Sequence, residues 1–229
     1  MRVVVLTGAG ISAESGLATF RDADGLWEGR DPVVVATPES FAAKPELVQR
    51  FYDERRAALA RVEPNPAHRA LARLEETLGD DLLLVTQNVD DLHERAGSRR
   101  VVHVHGRLRA AWCTACDARH GWTGTLLDLP PCPGCGASRL RPDVVWFGEV
   151  PYDMDRIEGA LVDCDLFVSI GTSGVVYPAA GFVQYALACG AETLELNLDA
   201  SAGSSFFHDS RQGTATELVP TWVEDLLSA

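Results

Sequence analysis

An apolar run at the start of the chain leads directly into a glycine-rich turn. Val3–Thr7 is followed by Gly8-Ala9-Gly10-Ile11-Ser12-Ala13. This order fits the Gly-x-Gly-x-x-Gly/Ala pattern, in which a strand, a tight turn and a helix N-terminus form a binding place for a dinucleotide. The second glycine lets the backbone approach a pyrophosphate, and the helix N-terminus supplies N–H groups. A tight turn without a ligand is the alternative.

Short β-branched runs recur along the chain and alternate with helical stretches. They predict strands at Arg2–Leu6, Leu82–Thr86, Val101–Val104, Leu166–Ile170 and Thr193–Asn197. Nearly continuous apolar strands are typical of a parallel sheet covered on both faces. We therefore predict an α/β fold with a Rossmann-like, doubly wound parallel sheet. A dehydrogenase is disfavoured, because residues 22–63 intervene where the acidic residue after the second strand should stand.

Helix starts are marked by a proline at the first helical position. Thr37-Pro38, Lys44-Pro45 and Asn65-Pro66 predict three such starts, and two further helices are predicted at Asp155–Val162 and Phe182–Ala188.

Four cysteines form two pairs, Cys113-x-x-Cys116 and Cys132-x-x-Cys135, with fifteen residues between them. Each pair can present two thiolates to one tetrahedral zinc ion, and four thiolates leave no open position for chemistry. Two disulfides are the alternative, which a reducing compartment disfavours. We therefore predict one structural zinc ion, and we expect Cys164 and Cys189 to be buried thiols.

Two regions interrupt the alternation of strands and helices, which predicts a small zinc-ribbon and helical insertion domain. We predict a single catalytic domain over residues 1–229. Its Rossmann part comprises residues 1–24, 66–106 and 143–229, and its small domain comprises residues 25–65, which are helical, and 107–142, which carry the cysteines.

The balance of charge is acidic, with 20 basic and 33 acidic residues and a formal net charge of −13. Nucleic-acid binding needs clustered basic residues to replace counterions, so no nucleic-acid partner is expected. A zinc-ribbon module that binds nucleic acid is the alternative, with Arg107, Arg109, Arg119, Arg139 and Arg141 near the cysteines.

No apolar run is long enough to cross a bilayer, and no secretory signal precedes the first strand. We expect no membrane association, a cytoplasmic location and a monomer.

Polar residues follow several of the predicted strands, where ligands bind in open α/β sheets. Gln87-Asn88-Val89-Asp90 follows the second strand, although Asn88 or Asp90 could equally cap a helix. His105 near the end of the next strand could be a general base, and a structural hydrogen bond is its alternative. Gly171-Thr172-Ser173 and Asn197 end two later strands.

Together these segments resemble the sirtuin family, in the family's order and over nearly the whole chain. The matching segments are Gly8–Ser12, Thr19-Phe20-Arg21, Thr86–His93, His105-Gly106, the four cysteines, Val145–Glu149, Gly171–Ser173 and Asn197. The resemblance implies an NAD⁺-consuming enzyme that removes acyl groups from the lysine side chains of proteins. Its substrates would lie in a cleft between the Rossmann part and the small domain.

The resemblance also implies roles for individual residues. His105 would be the general base and Asn88 a second catalytic residue, while Cys113, Cys116, Cys132 and Cys135 would bind zinc. Val145, Phe147 and Gly148 would pair with an extended substrate backbone. The residues expected to contact NAD⁺ are Gly8, Ala9, Gly10, Ser12, Phe20, Arg21, Gln87, Asn88, Asp90, Gly171, Thr172, Ser173, Asn197 and Ala215.

The chemistry implied by the family begins when the amide oxygen of an acyl-lysine attacks C1′ of the nicotinamide ribose and nicotinamide leaves. His105 would then deprotonate a ribose hydroxyl, and O-acyl-ADP-ribose and free lysine would be released. His68, His120 and His208 have no predicted catalytic role, and His93 is expected to support the ribose-binding loop.

An arginine interrupts an apolar stripe that has helical spacing. Arg55 lies on this stripe, which consists of Leu47, Val48, Phe51, Ala58, Leu59 and Val62. An arginine there requires an anion or an internal carboxylate, or extends its charged end to water. Tyr52-x-x-Arg55 with Ala36 resembles the bacterial class III desuccinylase and deacetylase subgroup, which implies removal of succinyl and malonyl as well as acetyl groups. An ordinary deacetylase or a mono-ADP-ribosyl transferase on the same fold is the alternative.

Overall fold

The computed structural model describes residues 1–18 and 31–228, and the fold is built from two sheets with helices around them. The strands are β1 (Val3–Thr7), β2 (Leu82–Thr86), β3 (Val101–His103), β4 (Gly106–Cys113), β5 (Arg119–Gly121), β6 (Leu140–Val144), β7 (Leu166–Ile170), β8 (Glu192–Asn197) and β9 (Asp209–Gln212). The helices are α1 (Gly10–Ala13), α2 (Pro32–Val35), α3 (Pro38–Ala43), α4 (Pro45–Leu59), α5 (Pro66–Leu78), α6 (Leu92–Ala96), α7 (Met154–Asp163), α8 (Phe182–Ala188) and α9 (Ala215–Ser228).

The larger sheet has six strands in the order β3-β2-β1-β7-β8-β9, and all neighbours pair in parallel. Counted along the chain, this is the 3-2-1-4-5-6 order of a Rossmann sheet, so the predicted doubly wound fold is confirmed. The chain order reverses between β1 and β7. Thr7 at the end of β1 lies opposite both Thr86 and Ile170, so the carboxyl ends of three strands meet at one edge.

Each face of this sheet is covered by a pair of helices. Val3 and Val5 face α5 and α9, where Leu71 and Trp222 pack against them. The alternate residues of β1, Val4 and Leu6, face α7 and α8 and pack in a cluster that includes Ile157 and Phe182. Because both faces are covered, all five residues of β1 are buried. Burying one such side chain contributes about 1.5–3 kcal/mol.

The smaller sheet is antiparallel, in the order β5-β4-β6, and it carries the cysteine pairs. The helical stretch α2–α4 packs against it: Val48 and Phe51 of α4 belong to one buried cluster with Leu108 and Val144 of the sheet. The division of the chain into a Rossmann part and a small domain, with the boundaries given above, stays a prediction.

Three predicted helix starts are confirmed. Thr37 accepts a hydrogen bond from the Ser40 N–H (3.1 Å), and Asn65 accepts from Ala67 (3.0 Å) and His68 (3.4 Å), so both side chains cap helices. α4 begins at Pro45 as predicted, but without a capping side chain. In the parts of the chain that the structure describes, no helix is both long and apolar enough to span a bilayer.

Several boundaries differ from the predictions, which follow apolar runs. β1 includes Thr7 instead of Arg2, β3 ends at His103, and β8 begins one residue earlier, at Glu192. The polar strand β9 has no apolar pattern because all four of its residues are exposed at the sheet edge. Cys164 is buried as expected, but the expectation of a buried Cys189 is wrong: this residue is exposed just beyond α8.

Candidate functional site

A cleft of about 610 Å³ lies at the carboxyl edge of the larger sheet and extends to α4 and β6. Apart from the cysteines, every predicted site residue within the described ranges lines it. These are Gly8, Ala9, Gly10, Ser12, Ala36, Tyr52, Arg55, Gln87, Asn88, Asp90, His105, Val145, Phe147, Gly148, Gly171, Thr172, Ser173, Asn197 and Ala215. Phe20 and Arg21 lie outside the described residues.

The glycine-rich turn after β1 packs directly on the turn after β7. Gly8 donates to the carbonyl of Ile170 (2.9 Å), and Gly10 donates to that of Gly171 (2.8 Å). A Cβ at Gly10 would lie 2.7 Å from the Gly171 Cα, which is too close for two backbones to accommodate. Gly171 itself has φ +61°, a conformation that favours glycine. The glycines are thus required where two strand ends meet at the cleft.

A buried hydrogen-bond network holds the loop after β2. The Asn88 side-chain amide donates to the Gly8 carbonyl (3.0 Å) and to Ser12 Oγ (3.2 Å). Ser12 in turn donates to Asp90 Oδ2 (3.0 Å), and Asp90 Oδ1 accepts from the Leu92 N–H (3.1 Å). Asp90 therefore fixes the turn just before α6 and also lines the cleft, whereas the N-cap residue of α6 is Asp91, which makes no side-chain capping bond. Burial raises the pKa of its carboxyl group.

Two histidines hold consecutive carbonyl groups of the same loop. His105 Nδ1 lies 3.2 Å from the Gln87 carbonyl, and His103 Nδ1 lies 3.1 Å from the Asn88 carbonyl. A carbonyl oxygen only accepts hydrogen bonds, so each Nδ1 carries a proton. In neutral His105, the lone pair is then on Nε2. Burial lowers the pKa of His105, which favours this neutral form.

His103 and His105 differ in the surroundings of their second ring nitrogen, Nε2. Its Nε2 lies 2.7 Å from Glu94 Oε1, and the ring is buried where β3 ends. His103 therefore supports the loop from behind, whereas His105 lines the cleft.

His93 was expected to support the ribose-binding loop, but sequence reasoning missed its pairing with His68 beneath the glycine-rich turn. The rings of His68 and His93 lie 4.9 Å apart. His93 Nε2 is 3.0 Å from Thr7 Oγ1, and His68 Nε2 is 3.4 Å from Ser12 Oγ. Burial lowers the pKa of His68 to about 4 and that of His93 well below its usual value. The one local clue to His68 is its position three residues after Asn65, where its ring completes a capping box.

The four predicted zinc ligands lie together. All four Sγ atoms are within 4.8 Å of one another, with Cys113 and Cys135 3.7 Å apart and Cys116 and Cys132 3.8 Å apart. A tetrahedral zinc ion with Zn–S bonds of about 2.3 Å separates its sulfurs by about 3.8 Å. The site therefore fits one structural zinc ion. His120, for which no role was predicted, places Nε2 3.3 Å from Cys132 Sγ.

At the α4 end of the cleft, Arg55 is half-buried and Tyr52 is fully buried. The Tyr52 hydroxyl oxygen accepts a hydrogen bond from Trp146 Nε1 (2.9 Å). The neighbouring segment after β6 uses two of its own N–H groups internally: Val145 donates to the His105 carbonyl and Phe147 to that of Ala36, both at 2.9 Å. Val145 and Phe147 would therefore pair with a substrate backbone through their carbonyl groups.

Comparison with known proteins identifies the family. Residues 8–178 match the sequence profile of the Sir2 family, the family also called sirtuins. The chain belongs to the Sir2 family. This Sir2 protein is 56% identical over 232 residues to a protein of Caulobacter vibrioides and 55% identical over 230 residues to one of Pasteurella multocida. Both relatives are named NAD-dependent protein deacylase. The alignments cover 100% and 99% of this chain and 98% of each relative.

A solved Sir2 homolog–NAD complex has the same fold. It superimposes with a TM-score of 0.90 at 41% identity, over 99% of this chain and 90% of the other. The prediction of a sirtuin that acts as an NAD-dependent protein deacylase is confirmed by these matches.

Proposed function

We propose that this Sir2 protein removes succinyl and malonyl groups from protein lysines, with acetyl as a weaker substrate. NAD-dependent protein deacylation itself follows from its family and from relatives matched over 98% of their length. The preference for an acyl group that ends in a carboxylate rests on one observation. A guanidinium and a phenol, those of Arg55 and Tyr52, line the same cleft as the glycine-rich turn, beside the small side chain of Ala36.

The cleft suits a dinucleotide in size and lining. Its volume lies within the range of about 300–1,000 Å³ that is usual for ligand sites. The close approach of Gly10 to Gly171 leaves backbone and no side chain at the point where the chain order of the strands reverses. Bound NAD⁺ supplies an electrophilic anomeric carbon with nicotinamide as the leaving group. We place its contacts on Gly8–Gly10, Ser12, Phe20, Arg21, Gln87, Asn88, Asp90, Gly171–Ser173, Asn197 and Ala215.

Two side chains, those of His105 and Asn88, have hydrogen bonds that leave an acceptor atom available for the proposed reaction. Neutral His105 carries its lone pair on Nε2, because Nδ1 donates to the Gln87 carbonyl. It can therefore take a proton from a ribose hydroxyl as a general base. Asn88 directs its side-chain N–H groups to Gly8 and Ser12, which leaves its amide oxygen to contact the ligand.

Arg55 and Tyr52 would bind the distal carboxylate of the acyl group. Guanidinium groups form strong, charge-assisted hydrogen bonds with carboxylates, especially away from water. Burial raises the pKa of Tyr52, so its hydroxyl stays protonated and can donate. An acetyl group offers no such carboxylate and would gain nothing from either side chain.

The direct test is to incubate the protein with NAD⁺ and matched acetyl-, succinyl- and malonyl-lysine peptides and to weigh the products. We expect free lysine, nicotinamide and O-acyl-ADP-ribose, formed fastest from the succinyl and malonyl peptides. A protein that leaves NAD⁺ intact with every peptide, or that prefers acetyl, would contradict the proposal.

Arg55→Met should lower kcat/KM for desuccinylation roughly 100-fold, the loss expected for a charge-assisted hydrogen bond of about 3 kcal/mol. Deacetylation should fall far less, because the acetyl group makes no contact with the charge. The control is Arg50→Met on the same helix, where Arg50 forms an exposed ion pair with Glu46 (2.7 Å). Equal loss of both activities in Arg55→Met would refute the assignment of the pocket.

A further inference from the structure

Tyr52 is oriented by a second buried aromatic side chain. Trp146 Nε1 lies 2.9 Å from the Tyr52 hydroxyl, and both side chains are almost completely buried. An indole N–H can only donate, so the tyrosine oxygen is the acceptor in this bond. The phenol proton is therefore directed away from Trp146. In this arrangement Tyr52 is a hydrogen-bond donor toward whatever acceptor lies on its other side.

Trp146 is itself held on three sides. The central carbon of the Arg141 guanidinium lies 3.4 Å from the centre of the Trp146 ring, and Phe41 packs 5.1 Å away on a tilt. The Trp146 backbone N–H donates to Glu149 Oε2 (2.8 Å). Cation–π contact of this kind strengthens when both partners are shielded from water. The indole therefore has little freedom to rotate its N–H away from Tyr52.

Arg141 and Glu149 close this arrangement into a clamp. Arg141 donates to both oxygens of Glu149, at 2.6 Å and 2.9 Å, and to the Val144 carbonyl at 2.7 Å. Its guanidinium stacks on a second tryptophan, Trp112, at 4.8 Å. The clamp contacts Val144 and Glu149 and so holds both ends of Val145–Glu149, the segment expected to pair with substrate. A continuous set of contacts thus runs from this segment through Trp146 to Tyr52.

We propose that Trp146 is a specificity-determining positioning residue, which sets Tyr52 as a donor toward the distal carboxylate of the acyl group. The inference rests on the proposed function, because it assigns to Tyr52 a carboxylate acceptor. Trp146 acts through Tyr52 and not on the reacting atoms. Its contribution therefore belongs to the binding of succinyl- and malonyl-lysine and not to the chemical step.

The test is a double-mutant cycle on the succinyl-to-acetyl ratio of kcat/KM. Trp146→Phe removes the N–H and should lower this ratio about tenfold, the upper range for one neutral hydrogen bond, mainly through KM for the succinyl peptide. Tyr52→Phe should lower the ratio similarly. In the Tyr52→Phe background, Trp146→Phe should change the ratio by less than about twofold, because the residue it positions has lost its hydroxyl.

A matched control is available in Trp112→Phe. Trp112 also stacks on Arg141, but it donates its Nε1–H to Asp117 (2.8 Å) and not to Tyr52. This variant should leave the ratio within about twofold of the wild type. If Trp146→Phe proves unstable, 3-benzothienylalanine at position 146 keeps the ring shape and removes only the N–H.

Three outcomes would overturn the inference. Trp146→Phe could leave the ratio unchanged while Tyr52→Phe and Arg55→Met lower it; the proposed function would then stand and the positioning role would fall. Additive effects of Trp146→Phe and Tyr52→Phe would show that Trp146 does not act through Tyr52. A wild-type protein with no activity on succinyl peptides would remove the proposed function and the inference together.

Discussion

At the scale of single residues, the hydrogen bonds of His105 determine which of its nitrogens can act. The Gln87 carbonyl requires a proton on Nδ1, and burial disfavours the doubly protonated ring. His103, two residues earlier, has its second nitrogen beside Glu94 and is buried. Two histidines of the same strand end thus differ in role because of their partners.

The proposed role of His105 as general base predicts how catalysis depends on pH. A general base acts when it is deprotonated, and burial places the pKa of His105 below its usual value of 6.5. We therefore expect kcat/KM to rise with pH on an acid limb below neutrality and to be flat from about pH 7. His105→Gln should lose activity at least about 100-fold while NAD⁺ still binds, measured by calorimetry. An acid limb centred above pH 7 would contradict this assignment.

At the scale of elements, α4 is fastened to the smaller sheet by three buried or partly buried polar side chains. Gln49 donates to the Leu140 carbonyl (3.0 Å), and Arg56 donates to the Leu108 carbonyl (2.7 Å) and to Asp53 (2.5 Å). Asp53 also accepts from the Leu126 N–H. The same helix carries Tyr52 and Arg55 on its cleft side, so the position of the proposed acyl pocket depends on the cysteine-bearing sheet.

Removal of zinc should therefore destabilise α4 as well as the turns that carry the cysteines. With the metal chelated, we expect faster amide hydrogen exchange in β4–β6 and also in α4, because their shared hydrogen bonds lose one side of their support. The strands β1, β7 and β8 should stay protected, since they lie in a separate core. Mass spectrometry of exchanged peptides measures the exchange in both sets of elements. Restored protection after zinc is returned is the control, and unchanged exchange in α4 would contradict the coupling.

At the scale of the whole molecule, burial of neutral histidines links stability to pH. The pKa of His68 is lowered to about 4 in the folded protein, against 6.5 when unfolded. Between these values the unfolded chain binds a proton that the folded chain does not, so stability falls as pH falls from 6.5 toward 4. His93, in contact with His68, has its pKa lowered in the same direction.

Acid sensitivity should consequently depend on this buried pair. Protonation of His68 alone should lower the free energy of unfolding by about 3 kcal/mol as the pH falls from 7 to 4. Urea denaturation at several pH values measures the loss, and the wild type should lose more over this range than His68→Gln does. His208→Gln, at an exposed position, should lose as much as the wild type. Identical pH profiles for the wild type and His68→Gln would contradict the linkage.

Much of this protein could be predicted from local sequence patterns. Apolar runs located β2 and β7, prolines after capping residues located the starts of α3 and α5, and cysteine spacing located the four thiolates. These features depend on the conformation of a few neighbouring residues or on the ligand geometry of one ion. The order of the motifs along the chain also sufficed to identify the family.

Contacts between distant segments were decided by the tertiary structure alone. No spacing in the sequence shows that Gly10 packs on Gly171, that His68 and His93 meet beneath the glycine-rich turn, or that Trp146 donates to Tyr52. The strand β9 also escaped prediction, because its place at the sheet edge leaves its side chains exposed. Local propensity and periodicity record which face of an element is apolar. They do not record which partner lies across from it, since that depends on how the whole chain packs.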